Sequence, residues 1–180
     1  LDVPGGIVVS ALHPVSPFKT TGFEVGDVIS AVDGAAVNTP AEMVYRMSVA
    51  GLGQDVIITR WRGDTANDVA VTLMTAPEKP PRDTVLLGDD SGLPGLAVSQ
   101  INPAVIAEFN LPLLAGGVVV SDAGPVAPRV GLRTGDVILA INGDVIETPP
   151  DVRKTLRRSG RGLVFDIQRG TNRAQLRFRR

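Results

Sequence analysis

Two glycine-led apolar runs, Gly6-Ile7-Val8-Val9-Ser10 and Gly117-Val118-Val119-Val120-Ser121, open the hydrophobic pattern, and each enters a loop with the spacing Pro-Val-small-Pro, Pro14 to Pro17 and Pro125 to Pro128. Short apolar runs bounded by turn residues read as strands. A second pair follows: Gly26-Asp27-Val28-Ile29-Ser30-Ala31-Val32 closed by Asp33-Gly34, and Gly135-Asp136-Val137-Ile138-Leu139-Ala140-Ile141 closed by Asn142-Gly143. Asp-Gly and Asn-Gly suit tight hairpin turns, because both positions tolerate positive φ. From Gly26 to Pro40 the register repeats at Gly135 to Pro149, a constant offset of 109. One unit therefore occurs twice.

Helix signals come next. Thr39-Pro40-Ala41-Glu42 and Thr148-Pro149-Pro150-Asp151 each place a hydroxyl at the cap, proline in the first helical turn and a carboxylate at the third position, where it can bond back. The helices carry Val44 and Met47 in the first copy, Val152 and Leu156 in the second. Each copy then predicts two strands joined by a turn, Val56 to Arg62 with Val69 to Leu73, and Leu163 to Gln168 with Ala174 to Phe178. Along the last one Ala174, Leu176 and Phe178 alternate with Arg173, Gln175 and Arg177, one buried and one wet face.

Between the copies lies Ala76-Pro77-Glu78-Lys79-Pro80-Pro81-Arg82, whose composition favours an extended polyproline linker over a packed element. Val85-Leu86-Leu87 is a candidate short strand. The organisation expected is a first domain over 1–76, a Pro-rich linker over 77–92 and a second domain over 93–180.

Composition narrows the functional classes. With 43% hydrophobic and 21% charged residues in 180, the chain can bury two small cores. It has no Cys, which excludes disulfides, thiolate metal sites and Cys nucleophiles. No apolar run is long enough to span a bilayer, so membrane contact is expected to be peripheral at most. The first residues lack the regions of a signal peptide, and an exported form is expected to begin after its address. The net charge of −1 hides an asymmetry: residues 1–76 hold four Lys and Arg against eight Asp and Glu, residues 93–180 twelve against seven.

Catalytic and cofactor chemistry finds little support. His13, the single histidine, stands in a loop before proline and reads as a surface residue. Asp27 and Asp136 read as acceptors for local turn amides. Asp89-Asp90 is a poor cation ligand set. Gly51-Leu52-Gly53 and Gly116-Gly117 lack the spacing and lysine of a phosphate loop. The arginines at 157, 158, 161, 169, 173, 177, 179 and 180 come with 4% aromatics, too few for single-strand stacking; neither nucleic acid nor any cofactor is expected.

A glycine-led strand, a small-residue loop with proline, Gly131-Leu132-Arg133-Thr134-Gly135-Asp136-Val137-Ile138, an Asn-Gly turn, a Thr-capped helix and two strands resemble a PDZ domain of the circularly permuted bacterial kind. The pair is similar to the C-terminal half of an HtrA/Do-family serine protease, and Leu93-Pro94-Gly95-Leu96 with Asn102-Pro103-Ala104-Val105-Ile106-Ala107-Glu108-Phe109 carries the resemblance to that family. It implies a mainly β fold with short helices: two partly open β-barrels or sandwiches, each capped by a helix. It also implies the bacterial periplasm or cell envelope, and binding of polypeptide C-termini or unfolded segments by strand addition. The parent protease domain and homo-oligomer neighbours are further implied partners.

Carried over by resemblance, Pro94, Gly95 and Leu96 would face the ligand carboxylate, Leu96 and Val98 would run along the strand, and Arg153 and Leu156 would line the helix. Pro94 removes one N–H from that loop, and Arg153 stands where an apolar groove residue is expected. In the first copy Leu1 to Gly6 lines up with Leu111 to Gly117, so its loop, edge strand and short helix are expected to precede Leu1. Val44 and Met47 are its groove residues. The nucleophile motif Gly-Asn-Ser-Gly-Gly is nowhere in the chain, so any endopeptidase activity would belong to a parent protein. Two alternatives stay open: a structural pair that assembles or gates the protease without capturing peptide, or a pair attached to a membrane metalloprotease or secretion component.

Overall fold

The computed structural model describes residues 5–179, which divide between Ala76 and Pro77 into two units. Both are mainly β with short helices. The first contains β1 (Ile7–Val8), α1 (Pro17–Thr20), β2 (Val28–Val32), β3 (Ala35–Ala36), α2 (Pro40–Ala50), β4 (Asp55–Arg62) and β5 (Thr65–Thr72). Its antiparallel sheet runs β1-β2-β4-β5, with β3 beside β2. Phe23, Ile29, Val32, Val37, Val56 and Ile58 form its core.

The second unit holds β6 (Val85–Leu86), β7 (Ala97–Gln100), α3 (Pro103–Phe109), β8 (Val118–Asp122), β9 (Val137–Ile141), β10 (Asp144–Val145), α4 (Pro149–Arg158), β11 (Gly162–Arg169) and β12 (Asn172–Arg179). Its sheet is ordered β12-β11-β9-β8-β7-β6, with β10 beside β9. One core lies beneath α4, and a smaller one gathers Ile101, Val105, Ile106, Val119 and Val137 beneath α3. Val8 holds the register place of Val119, since both sit opposite the second residue's partner in β2 and β9. Val8 is 61% exposed, whereas Val119 is fully buried. Among the described residues the first unit has no counterpart of α3 to cover it.

The turns follow their chemistry. Asp33 and Gly34 both take positive φ, as do Asn142 and Gly143, the requirement of a type I′ hairpin. The turn side chain also reaches the next strand: Asp33 Oδ1 accepts the Ile57 N–H at 2.7 Å and Asn142 Oδ1 that of Val164 at 2.8 Å. The C-terminal hairpins are longer than hydrophobicity alone predicts, because β5 begins at Thr65 and β12 at Asn172. Gly63 and Gly170, with positive φ at the first central turn position, start pairing at once. Backbone bonds then carry the polar halves of the ladders beyond the core.

The segment over 77–92, expected as an extended Pro-rich linker rather than a packed element, belongs to the second unit, with its short strand at Val85–Leu86. Its polar groups find partners on α3. Asn102 caps that helix by accepting the Val105 N–H at 2.8 Å and donates through Nδ2 to Glu78 at 2.7 Å and to the Pro80 carbonyl at 2.8 Å. Arg82 bridges Glu78 and Glu108. A composition that disfavours helix and sheet does not prevent docking when side chains satisfy the backbone.

The Asp of each Gly-Asp-Val-Ile stretch is buried and doubly bound. Asp27 accepts the Glu24 N–H at 2.8 Å and takes Arg62 Nε and Nη2 at 2.7 and 2.9 Å. Asp136 accepts the Arg133 N–H at 2.8 Å and takes Arg169 Nε and Nη2 at 2.6 and 2.7 Å. The turn amides were expected; the arginines were not. Each guanidinium also donates to the carbonyl of Gly22 or Gly131, tying the turn to the last hairpin. The first unit adds Arg60, 3.9 Å from Asp27 and stacked over Phe23.

Arg169→Met leaves the Asp136 carboxylate, 1% exposed, without its counter-charge, and should cost the second unit about 3 kcal/mol. Arg62→Met should cost less, because Arg60 stands in reserve beside Asp27. Urea unfolding followed by Trp61 fluorescence for the first unit, and by backbone amide NMR for the second, measures both. Hydrogen bonding from Arg62 holds the Asp27 carboxyl below the ordinary carboxylate range, against the opposing effect of burial. Its folded pKa is depressed, so its contribution is fully present above about 3.9 and is lost as pH falls through the folded value. The Trp61 midpoint should therefore fall with acid below about pH 4, and less steeply in Asp27→Asn.

Candidate functional site

The second unit brings a loop, an edge strand and a helix together. The loop is Leu93-Pro94-Gly95-Leu96, and Leu93 and Leu96, both fully buried, pin it to the core from its two ends. Gly95 has a φ of +80°, and a Cβ there would meet Pro125 Cδ at 2.9 Å. Gly124 faces it, and a Cβ at that position would lie 2.5 Å from the Gly95 carbonyl oxygen. The two backbones touch where only glycine fits. Sequence reading missed Gly124 and Pro125 as supports of the loop, although the Gly-Pro dipeptide at the head of the second Pro-Val-small-Pro loop was a visible signal.

From the loop the chain enters β7, whose inner edge pairs with β8. Val98 is fully buried in the core beneath α4. The outer edge of β7 is also paired. β6 lies along it antiparallel, Val85 opposite Val98 and Leu86 opposite Ala97. Flanking bonds extend the ladder: Gln100 N–H donates to the Arg82 carbonyl at 2.6 Å, Leu87 N–H to the Leu96 carbonyl at 2.8 Å, and Gly95 N–H to the Leu87 carbonyl at 3.0 Å. Pro94 has no N–H, and the Leu96 N–H is used inside the loop on the Leu93 carbonyl at 3.2 Å.

Helix α4 forms the opposite wall. Val152 and Leu156 are fully buried, packed with Leu87, Leu93, Leu96 and Val98 in one core. Arg153 is exposed and donates through Nη2 to the Leu86 carbonyl at 3.3 Å. Arg157, one turn on, pairs with Asp90 at 3.0 Å. The structure thus gathers all six second-domain candidates, Pro94, Gly95, Leu96, Val98, Arg153 and Leu156, around β6. The side chains of Leu96, Val98 and Leu156 face the core, and the chain that fills the space between β7 and α4 is the protein's own.

Val44 and Met47 lie on α2 in the first unit. By the repeat offset they hold the places of Arg153 and Leu156. Met47 packs half-buried against the core, while Val44 is 58% exposed, with Tyr45 and Val49 exposed beside it. Among the described residues no strand runs along the outer edge of β1, and no loop of the 93–96 kind stands near this helix. His13 accepts the Val15 N–H at 3.4 Å, a local turn contact. Among the described residues no cluster of three or more metal-binding side chains exists, and no helix is long and apolar enough to cross a membrane.

Comparison with known proteins adds the family. Residues 2–73 match one PDZ-domain family and residues 117–169 another. The chain is 27% identical over 165 residues to a probable periplasmic serine endoprotease DegP-like of Brucella suis, covering 89% of this chain and 31% of that protein. It is 26% identical over 172 residues to the periplasmic pH-dependent serine endoprotease DegQ of Escherichia coli, covering 94% and 35%. The chain spans about a third of the length of these relatives. A crystal structure of the HtrA3 PDZ domain bound to a phage-derived ligand is 21% identical, covers 47% of this chain and 79% of that one, and aligns with a TM-score of 0.40. With a repeated Gly-Asp-Val-Ile strand, a Thr-capped helix and a closing hairpin in each unit, the chain is a tandem pair of PDZ domains, similar over most of its length to the periplasmic serine endoproteases named above.

Proposed function

We propose that this tandem pair is the peptide-binding regulatory region of a serine endopeptidase of envelope protein quality control, recognising C-termini or extended segments of misfolded polypeptides. One observation supports this above the others. The space between β7 and α4 accommodates an extended chain as an added antiparallel strand, with the Gly95 N–H capping its final carbonyl. Strand addition of this kind supplies affinity through backbone bonds and selectivity through alternate side chains. Pro94, Gly95, Leu96 and Val98 build the strand side of the second-domain groove, Arg153 and Leu156 its helix side, and Val44 and Met47 the helix side in the first domain. The relatives' names place them in the periplasm, and this chain belongs to the same compartment.

The filled state of the second groove favours a second reading, in which the pair assembles or gates the parent protease through contacts with its catalytic domain or with neighbouring subunits. A titration separates the two. A hydrophobic peptide with a free C-terminus should bind the 180-residue chain at least fivefold more tightly than its amidated twin by fluorescence polarisation. Val44→Asp, at an exposed position, should weaken any share of that binding carried by the first domain, because a charge then borders an apolar contact. Equal, negligible binding of both peptides sinks capture and leaves the structural reading.

A further inference from the structure

We propose that Thr84–Leu87 is a resident pseudo-ligand of the second PDZ domain, and that the groove opens to a polypeptide C-terminus whose last residue is aliphatic like Leu87 and whose third-last is aliphatic like Val85. This regulation rests on the peptide-binding reading given above. The geometry is that of a bound strand end. Leu87 is 2% exposed, in the core shared by α4, β7 and the loop, and Val85 packs half-buried against that core. Leu86 between them is 63% exposed, and its backbone carbonyl meets Arg153. In, out, in is the alternation by which an added strand presents every second side chain to a pocket.

The loop is matched to this occupant. Its one N–H aimed at the groove, that of Gly95, meets the Leu87 carbonyl, since Pro94 has none and Leu96 spends its own within the loop. A single donor satisfies a neutral carbonyl. The negative charge that a free C-terminus would bring is supplied instead by Asp90, which pairs with Arg157 on α4. The strand is held from its other end as well, by Arg82 donating to Glu108 on α3 and by Glu78 and the Pro80 carbonyl accepting from the Asn102 side chain. Being tethered on both sides, it competes at the high effective concentration of an intramolecular partner. An outside C-terminus exchanges for it by offering Gly95 a charge-assisted bond, stronger than the neutral one it replaces, and by presenting its own carboxylate to Arg157 as Asp90 withdraws.

The test uses a hexapeptide copying residues 82–87 with a free carboxyl end, and its amide, titrated into the whole chain. Val85→Pro cannot join the ladder and releases the strand. Thr84→Cys with Ser99→Cys places thiols where two hydroxyls now meet at 2.8 Å, in a chain with no other cysteine, and staples the strand shut when oxidised. The free peptide should bind Val85→Pro roughly tenfold or more tightly than the unaltered chain, because the competent fraction rises. The oxidised staple should not bind it, and reduction should restore binding. In the unaltered chain, saturating peptide should strip hydrogen-exchange protection from the Leu87 amide and leave it on Gly95, a readout that holds even if Val85→Pro does not fold. Equal binding by the released, stapled and unaltered chains overturns the pseudo-ligand while leaving peptide capture standing. No binding by the unaltered chain, the reduced staple or a folded Val85→Pro overturns both.

Discussion

A carboxylate almost removed from water at the head of the central strand is the constraint on which each domain depends. Asp27 and Asp136 are 2% and 1% exposed, and neither is tolerable there without a counter-charge and enough donors for its lone pairs. Both are met in the same way, by one turn amide and by two N–H groups of an arginine at the end of the closing hairpin. The pair joins the loop before the central strand to the tip of the last hairpin, elements separated by more than thirty residues. Once they are joined, the order of strands between them has little freedom. Arg60 gives the first domain a second cation near the acid, whereas the corresponding place in the second domain is Ile167, a core residue.

On this frame the second domain sets its groove by close approach. The glycines at 95 and 124 let two backbones meet, which fixes the loop's height above the sheet and aims one N–H outward. The loop, β7 and α4 then share a single apolar core with Leu87. The loop, β7, α4 and the β6 segment are therefore one packed body, and Leu87 completes the core of the fold.

The repeat, the turns, the caps and the family were legible in the sequence, because each rests on local chemistry: Asp-Gly and Asn-Gly for hairpins, Thr-Pro for helix starts, alternation for the closing strands. What stayed hidden was non-local. Arg62 and Arg169 looked like ordinary hairpin residues, although an Arg-Gly pair recurs in both copies and was a usable sign. The segment over 77–92 read as a tether by composition, since nothing in its prolines reveals that Asn102, twenty residues on, will satisfy them. Pro94 and Arg153 stood out as departures from a peptide groove. Their physical counterpart is a groove with a single outward N–H and an arginine resting on the Leu86 carbonyl.

The last hairpin of the second domain carries a consequence for how the protein behaves in concentrated solution. Among the described residues β12 pairs with β11 alone, so the outward-facing alternate backbone groups of this eight-residue strand stay unpaired, the feature by which sheets join edge to edge and aggregate. Arg173, Arg177 and Arg179 are exposed along it. Two such edges meeting antiparallel would set a row of guanidinium groups against its like, and directly opposed like charges disfavour the ladder. The arginines along this strand thereby disfavour edge-to-edge self-association.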